Sequence, residues 1–527
     1  MMADEKDVTL YKSRCICSYL RTSKLYFEIA NDLKEQISKP NAVVEDLNKF
    51  CQSYIENSTW STKIQNAVYQ QLRRLKIDTV VADQKCSKEP LHFLQKAQRS
   101  WEKRVLKSIN SMCTELSLPL ARKRSPKDQA ALLSKFNTLG SECDMTVLNK
   151  IRPVYSTIDF MEVVLSVRNP NYTPLKQNPN LMNGWGRIQV QLKVKTISEL
   201  RVFFKEIEQC GSQYGAYDGE TNSKDLSEND WYKLGKRVID KESCPSAQQY
   251  AKSGCPSSIR RHIWALLLDI GEKDQNKLHF ETLKSYVCKY DLLVDILIKK
   301  DIKSTATNDD QYFVFEDLLY QVLMAFARDT KVLRYFEGTP ANPPRSYIRG
   351  KLGIEEYAVY YPPNGSVIPF HGFSMYAAPL CYIYEDPSSL YHAFRGLFTR
   401  YFMRLHNISS HPQGIVSLCL LFETLLQTLE PDLFYHLRQI GFHPVKTAFN
   451  WIFYVFSGYL ESEQVLTLWD RILGYDSLEV LSVLAHSIFS FRGKSLLDVT
   501  SPGGAEAVLN DITDIKVVPL LQRTLFL

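Results

Sequence analysis

The stretch IPFHGFSMY, Ile368 to Tyr376, places a histidine, a glycine and a serine between aromatic side chains. A serine in the pattern G-x-S-x-G is the nucleophile of many hydrolases, because the sharp turn between the two glycines exposes its hydroxyl. Here Tyr376 stands in place of the second glycine, and no strand pattern precedes the turn. We therefore expect Ser374 to lie at the start of a buried helix rather than to act as a nucleophile.

Two further stretches contain residue types that bind phosphate or metal ions. RGKSL, residues 492–496, contains the GKS of a phosphate-binding loop, but Ile488 occupies the position of that motif's first glycine. HNISSHP, residues 406–412, has two histidines five positions apart, with no third carboxylate or thiolate ligand nearby. The sequence therefore predicts no nucleotide-binding loop, no metal site and no cofactor.

The composition is that of an ordinary globular protein, with 45% hydrophobic and 23% charged residues. A chain of 527 residues exceeds what one hydrophobic core usually supports, so we expect two domains, or three segments. The formal net charge of +6 is small for this length and gives no reason to expect a nucleic-acid partner.

The cysteine pattern and the N-terminus indicate a cytoplasmic protein. The 12 cysteines form no CxxC motif, and the N-terminal MMADEKDVTL lacks the apolar core of a secretory signal. The most apolar stretch, residues 447–460, is shorter than the roughly 20 residues that cross a membrane. We expect no transmembrane segment, and we interpret this stretch as a buried core helix.

Apolar residues three and four positions apart predict an all-α fold, with helices from Leu10 to about Leu118 and from Ala247 to about Phe491. Residues 188–195 alternate strictly and predict a short strand or an extended arm. The Gly/Pro-rich residues 338–369 predict a long irregular segment, and the basic ARKRSPK, residues 121–127, predicts a solvated loop.

An ordered series of motifs occupies the second half of the chain. It opens with GCPSSIRRHIW from Gly254, where Ser257 and Ser258 are suited to capping a helix and Arg260 precedes Trp264 by one turn. It closes with a second set of residues, Trp451, Phe456, Trp469 and Asp470. This series, with Gly254, Pro256, Arg260 and Trp264 at its front, resembles the TBC domain of Rab GTPase-activating proteins.

The resemblance implies an all-helical TBC domain over residues 247–492. The helical region 1–210 before it carries no recognisable chemistry and is interpreted as an interaction or targeting domain. Residues 211–246 are rich in Gly, Ser, Asn and Asp and predict a linker or mobile loop. Residues 493–527 form a C-terminal extension.

The resemblance also implies a mechanism in which an Arg and a Gln enter the site of the GTPase. The Arg belongs to an I-x-x-D-x-x-R motif, which corresponds here to Ile298, Asp301 and Ser304, so the Arg is absent. The Gln belongs to a Y-x-Q-G motif, in which His371 stands at the Gln position and Gly372 is kept.

An arginine of this kind contributes about 10³ to 10⁵ in rate, which Ser304 cannot supply. Two hypotheses remain. The chain is a GTPase-activating protein for a GTP-bound Rab-type partner, with Arg345 or Arg349 in place of the lost Arg, or with the GTPase using its own Gln. Alternatively, it is a catalytically silent scaffold that binds Rab GTPases or other partners. Both hypotheses imply a role in vesicle trafficking, with recruitment to intracellular membranes through partners.

Overall fold

Helices build almost all of the described chain, which confirms the predicted all-α fold. The computed structural model describes residues 2–39, 46–86, 92–137, 145–168, 186–208, 228–271, 273–332, 345–349, 355–360 and 370–527. Within these residues there are 24 α-helices and four short strands.

The helices are, in chain order, α1 (Met2–Thr22), α2 (Lys24–Ile37), α3 (Leu47–Glu56), α4 (Thr59–Cys86), α5 (His92–Leu116), α6 (Pro126–Ser134), α7 (Met145–Lys150), α8 (Thr157–Ser166), α9 (Ile197–Phe203), α10 (Glu228–Asp240), α11 (Cys244–Ser253), α12 (Ser257–Leu268), α13 (Lys273–Lys289), α14 (Leu293–Ser304), α15 (Glu316–Phe326), α16 (Pro387–Arg400), α17 (Ile415–Leu429), α18 (Pro431–Gln439), α19 (Pro444–Phe453), α20 (Ser462–Tyr475), α21 (Glu479–Phe491), α22 (Gly493–Asp498), α23 (Pro502–Asn510) and α24 (Val517–Phe526). The strands are β1 (Ala121–Lys123), β2 (Tyr290–Leu292), β3 (Arg345–Arg349) and β4 (Glu355–Tyr360).

The basic run at residues 121–127 is not a loop, so that part of the prediction was wrong, although five of its seven residues are exposed to solvent as expected. Its first three residues form β1, which pairs antiparallel with β2. Arg124 donates to the carbonyls of Val287 and Tyr290 at 2.6 and 2.7 Å and to the Asp291 carboxylate at 2.8 Å. The two carbonyls and the carboxylate accept hydrogen bonds from the Arg124 guanidinium. These bonds connect the N-terminal region to β2, the strand that leads directly into α14.

The segment 338–369 is not uniformly irregular. It contains the antiparallel hairpin β3–β4, in which Arg345 pairs with Tyr360 and the register shifts between Ile348 and Arg349. The side chains of Arg345 and Arg349 lie outside the described residues, so their suggested substitution for the missing Arg stays a prediction.

Residues 188–195 form an extended arm with a single isolated bridge, between Gln189 and Arg168. The alternating pattern arises because Ile188 and Val190 are buried at 2% and 3% exposure. The Glu423 carboxylate accepts hydrogen bonds from the amides of Arg187 and Ile188 at 2.8 and 2.9 Å. The Glu423 carboxylate thus satisfies backbone amides that a neighbouring strand would pair in a sheet.

The apolar stretch 447–460 is buried, but it is helical only as far as Phe453, where α19 ends. Val455 and Phe456 then adopt left-handed backbone angles, with φ of 53° and 62°. Both side chains are fully buried, and the free energy gained by burying them offsets the cost of the strained backbone. Across the described residues, no helix is both long and apolar enough to span a membrane.

The N-terminal helices share one hydrophobic core with the second half of the chain. Trp101 of α5 stacks edge-on against Tyr155, whose ring in turn stacks on Phe370, with centroids 5.0 and 5.3 Å apart. On α4, the buried Arg73 forms an ion pair with Asp476 at 2.5 Å. The division into segments 1–210, 211–246, 247–492 and 493–527 stays a prediction, and these contacts cross its proposed boundaries.

Candidate functional site

The two ends of the motif series meet at one buried carboxylate, that of Asp470 on α20. Asp470 accepts hydrogen bonds from Trp264 Nε1 at 2.7 Å and from the amide of Cys255 at 2.9 Å. The guanidinium of Arg260 contacts the same carboxylate, with Nη2 at 3.2 Å, and both groups are almost completely buried. The ion pair therefore satisfies a charge that would otherwise be costly inside the core.

The local start of α12 differs from the prediction in one respect. Its N-cap is Pro256, with no side-chain capping bond, and Ser257 is already the first helical residue. The predicted capping role of Ser257 and Ser258 was therefore wrong. The fixed φ of Pro256 and the positive φ of 106° at Gly254 set the direction in which the chain enters α12.

A second buried carboxylate, that of Asp301 on α14, joins the two motifs that carry the expected catalytic positions. Its two oxygens accept hydrogen bonds from the amides of Gly372 and Ser374 at 2.6 and 2.7 Å. Burial raises the pKa of Asp301 to about 6, although the two amide hydrogen bonds act in the opposite direction. Asp301 thus fixes the start of a loop much later in the chain, residues 370–376, which we call the His371 loop.

The backbone of the His371 loop requires glycine at position 372. Gly372 has a positive φ of 93°, a region that side chains other than glycine rarely adopt. A Cβ atom at this position would lie 2.3 Å from Cε1 of Tyr454. The hydroxyl of Tyr454 donates to the carbonyl of His371 at 2.7 Å, so the tyrosine ring covers the loop and holds it.

The N-terminal region also holds the His371 loop. The amide of His371 donates to the carbonyl of Tyr155 at 3.2 Å, and the Thr157 hydroxyl is hydrogen-bonded to that of Tyr454. Thr157 is the first residue of α8, and Tyr155 lies just before it. The backbone of His371 is therefore fixed from both halves of the chain, while its side chain is only half-buried.

The residues at the end of α14 are already engaged within the protein. Ser304 is the last residue of the helix, and its hydroxyl donates to the carbonyl of Asp301 at 3.2 Å. Lys303 forms an ion pair with Glu316 at 2.5 Å. Ile298, the first residue of the motif, is buried at 1% exposure and packs in the hydrophobic core.

The other chemically suggestive residues have structural surroundings. Ser374 is buried in a short 3₁₀ helix, and its hydroxyl contacts that of Thr305 at 2.7 Å. His406 contacts the hydroxyl of Tyr376 through Nε2 at 3.1 Å, and burial lowers its pKa to about 3. His411 accepts the amide of Gln413 at 3.0 Å. Among the described residues, no group of three potential ligands could hold a metal ion.

Sequence reasoning missed Tyr155, Thr157 and Tyr454, the residues that hold His371. Thr157 and Tyr454 are 297 positions apart, and no local pattern marks either residue as part of a site. The sequence did mark Asp301 as a residue of interest, because a carboxylate on an otherwise apolar face of a helix needs a hydrogen-bonding or charged partner.

Comparison with known proteins identifies the family. Residues 357–497 match the model of the Rab-GTPase-TBC domain. The chain is 50% identical over 527 residues to TBC1 domain family member 19 of Homo sapiens, covering 100% of this chain and 99% of that protein. The crystal structure of the Chlamydomonas flagellar RabGAP TBC domain is 14% identical, with a TM-score of 0.37 over 63% of this chain and 96% of that chain. The 50% identity extends over the full length of both proteins. The chain belongs to the TBC domain family, whose defining module is the Rab-GTPase-TBC domain.

Proposed function

We propose that this protein binds GTP-bound Rab-type small GTPases through the face where the end of α14 meets the His371 loop. The observation that carries the proposal is the pair of hydrogen bonds from Gly372 and Ser374 to Asp301. They join the last turn of α14, which ends at Ser304, to the loop of His371, and this supports a shared face for the two positions at which the resemblance implies an Arg and a Gln. In the cell, this binding would regulate vesicle trafficking, with the cytoplasmic protein recruited to intracellular membranes.

Activation of GTP hydrolysis needs a cation near the transferring phosphoryl group and a group that orients the attacking water. The imidazole of His371 can accept or donate a hydrogen bond to such a water. Ser304 carries no charge. As a GTPase-activating protein, the chain would therefore need a cation from elsewhere, and Arg345 or Arg349 on β3 precedes the His371 loop closely in sequence.

A catalytically silent binding protein is the second candidate, and a specific contact favours it. Lys303 is the cation next to the missing Arg position, and its ammonium is paired with Glu316 at 2.5 Å. A lysine held in this way does not extend toward a bound GTPase, and it also lacks the planar fork of a guanidinium. Binding without catalysis fits these residues.

The deciding experiment measures binding and catalysis side by side on a panel of Rab GTPases. Binding of GTP-locked forms is measured by interferometry, and single-turnover GTP hydrolysis is measured at micromolar protein. Binding with faster hydrolysis, lost in Arg345→Ala or Arg349→Ala, supports the activating protein. Binding with unchanged hydrolysis supports the silent protein. Absence of binding across the panel would refute the proposed function in both forms.

A matched pair of variants tests whether this face makes the contact. Ser304→Trp places a bulky ring at the end of α14 and should weaken Rab binding by more than about tenfold, since one misplaced side chain at an interface centre commonly costs 1.4 kcal/mol or more. Ser134 is likewise the last residue of its helix, α6, and donates to a carbonyl three positions earlier. Ser134→Trp should leave Rab binding unchanged, and an equal loss in both variants would place the contact elsewhere.

A further inference from the structure

A basic face runs along α5, on the side opposite to the core. The residues of this face are Lys96, Arg99, Lys103, Arg104 and Lys107, and all five are exposed. Lys96, Arg99, Lys103 and Lys107 follow one another at three and four positions and lie on one side of the helix over about 17 Å, with Arg104 at its edge. The opposite side carries the buried residues Leu94, Gln98, Trp101, Glu102, Val105, Ile109 and Met112.

The cations of the basic face are largely free of carboxylate partners. Arg104 contacts Asp159 at 3.2 Å. In the described part of the chain, no ion pair joins Lys96, Arg99, Lys103 or Lys107 to an acidic side chain. The one acidic residue within the stretch 96–107, Glu102, is on the buried side. Positive charge therefore predominates along this side of the protein, with the Asp159 carboxylate offsetting that of Arg104 in part.

Two open clefts flank the basic face and extend it sideways. One, of about 490 Å³, is lined by Arg104, Lys107 and Arg152, by the hydroxyls of Ser108 and Ser111, and by the carboxylate of Asp159. The other, of about 420 Å³, is lined by Lys96, Arg104 and Arg168 among others. Each cleft thus combines three cations, and Arg104 borders both.

The chemistry of this surface fits anionic phosphate groups spread over a plane. In the described residues, α5 presents no large exposed apolar side chain of the kind that anchors a protein partner. Trp101 is buried at 2% exposure and Phe93 is half-buried, so the helix has no exposed Trp, Tyr or Phe ring on which a nucleotide base could stack. Three of the five cations are lysines, whose hydrated ammonium groups bind a charged surface without being desolvated.

We propose that the basic face of α5 and its two clefts bind the anionic surface of a lipid bilayer, with lipid phosphate groups entering the clefts beside Arg104. This contact is independent of the GTPase: the protein would reach the membrane through its own N-terminal region as well as through a partner. The binding is electrostatic and peripheral, and no part of the helix inserts into the hydrocarbon.

Vesicle flotation of the full-length protein, without any GTPase, tests the proposal. Vesicles of phosphatidylcholine alone are compared with vesicles that contain about 30 mol% phosphatidylserine, a composition that gives a negative surface potential. We expect binding to the anionic vesicles only, with a steep decrease as NaCl is raised, because salt screens exposed charges. Equal binding to neutral vesicles, or binding that salt does not weaken, would overturn the proposal.

A triple variant locates the contact. Lys96→Gln, Lys103→Gln and Lys107→Gln together should lower binding to anionic vesicles by about 100-fold, since each cation near such a surface contributes about fivefold. The matched control is Lys233→Gln, Lys236→Gln and Lys241→Gln, three exposed lysines on or next to α10, which should bind like the unmodified protein. Glutamine is as good a helix former as lysine, so both triple variants should keep the thermal unfolding midpoint.

Three results would count against the basic face of α5. They are unchanged binding in its triple variant, an equal loss in the control, and tighter binding of single-stranded RNA than of anionic vesicles by the unmodified protein. The last would assign the face to nucleic acid instead. Should the triple variant fail to fold, the vesicle composition and salt series on the unmodified protein still decide whether an anionic bilayer is bound.

Discussion

The Asp301 carboxylate accepts the amide hydrogen of Gly372 at 2.6 Å, across 71 positions of sequence. This single contact places the last turn of α14 beside the loop that carries His371. The same carboxylate holds the amide of Ser374, so removing it would leave two buried donors unpaired. Asp301 is therefore a main link between the two motifs, together with the contacts of Tyr454 and Tyr155 to His371.

Replacing Asp301 with alanine should therefore lower the free energy of unfolding by about 2 to 5 kcal/mol, as expected for two unpaired buried amides. Urea denaturation monitored by circular dichroism measures the loss. Asp310→Ala, at an exposed position nine residues later, is the control and should change stability by less than about 0.5 kcal/mol. Equal effects of the two substitutions would show that Asp301 does not have this role.

Gly372→Ala should destabilise the protein by about 2 to 5 kcal/mol, because the added Cβ meets the ring of Tyr454 and the backbone φ is positive. Gly503→Ala is the matched control, since open space surrounds Gly503 within α23. That change should leave stability equal or slightly higher, because alanine is the better helix former. Thermal unfolding of both variants separates the two cases, and a stable Gly372→Ala protein would contradict the described geometry.

Arg260→Ala should cost about 3 to 5 kcal/mol, the usual effect of leaving one partner of a buried ion pair uncompensated. The remaining charge is that of Asp470, which has no exposed surface. The neighbouring Arg261 is exposed, and Arg261→Ala should have little effect on urea denaturation. If the Arg260→Ala protein unfolds at the same urea concentration as the Arg261→Ala protein, the ion pair is not needed for stability.

The double variant Ser304→Arg, His371→Gln restores both residue types that the family mechanism implies. If the unmodified chain is silent, the double variant should accelerate GTP hydrolysis of the bound Rab by about 10³-fold or more, since an arginine at such a site contributes 10³ to 10⁵. Binding of the GTP-locked Rab should stay within about threefold, because the rest of the face is unchanged. If the unmodified protein already accelerates GTP hydrolysis as much as the double variant does, the hypothesis of a catalytically silent protein is refuted.

His406 should make the protein sensitive to mild acid. Burial among Phe370, Phe398 and Phe453 lowers its pKa from 6.5 to about 3, so the folded state binds this proton less readily than the unfolded state. Its contribution to stability is therefore full above pH 6.5 and is lost as pH falls toward 3, with about 2 kcal/mol lost by pH 5.

The His406→Phe variant removes this titration. Its free energy of unfolding should fall less than that of the unmodified protein between pH 7 and pH 5, by about 2 kcal/mol. Buried His486, whose pKa is lowered to about 4, still titrates in both proteins. The difference between the two urea-denaturation series is therefore the informative quantity. Parallel losses in the two series would mean that His406 is not the group responsible.

The sequence by itself determined the all-α fold, because the spacing of apolar residues reflects the period of the helix wherever one face is buried. Through the family resemblance it also predicts that Ser304 and His371 stand at the Arg and Gln positions of two motifs, which contain Asp301 and Gly372. It misjudged residues 121–127, because strand pairing between β1 and β2 joins segments more than 160 positions apart. The expectation that the charges of this run are solvated holds for Arg122, Lys123 and Lys127, which are exposed, whereas Arg124 is half-buried.

Only the tertiary structure decided what surrounds those positions. It placed Tyr155 and Thr157 of the N-terminal region against the His371 loop, and it paired Lys303 with Glu316. It also showed that Arg260 and Trp264 share one carboxylate, that of Asp470. Helical periodicity is a local property that residues three and four apart record. Contacts between distant segments depend on how complete helices pack, and no short stretch of sequence records that packing.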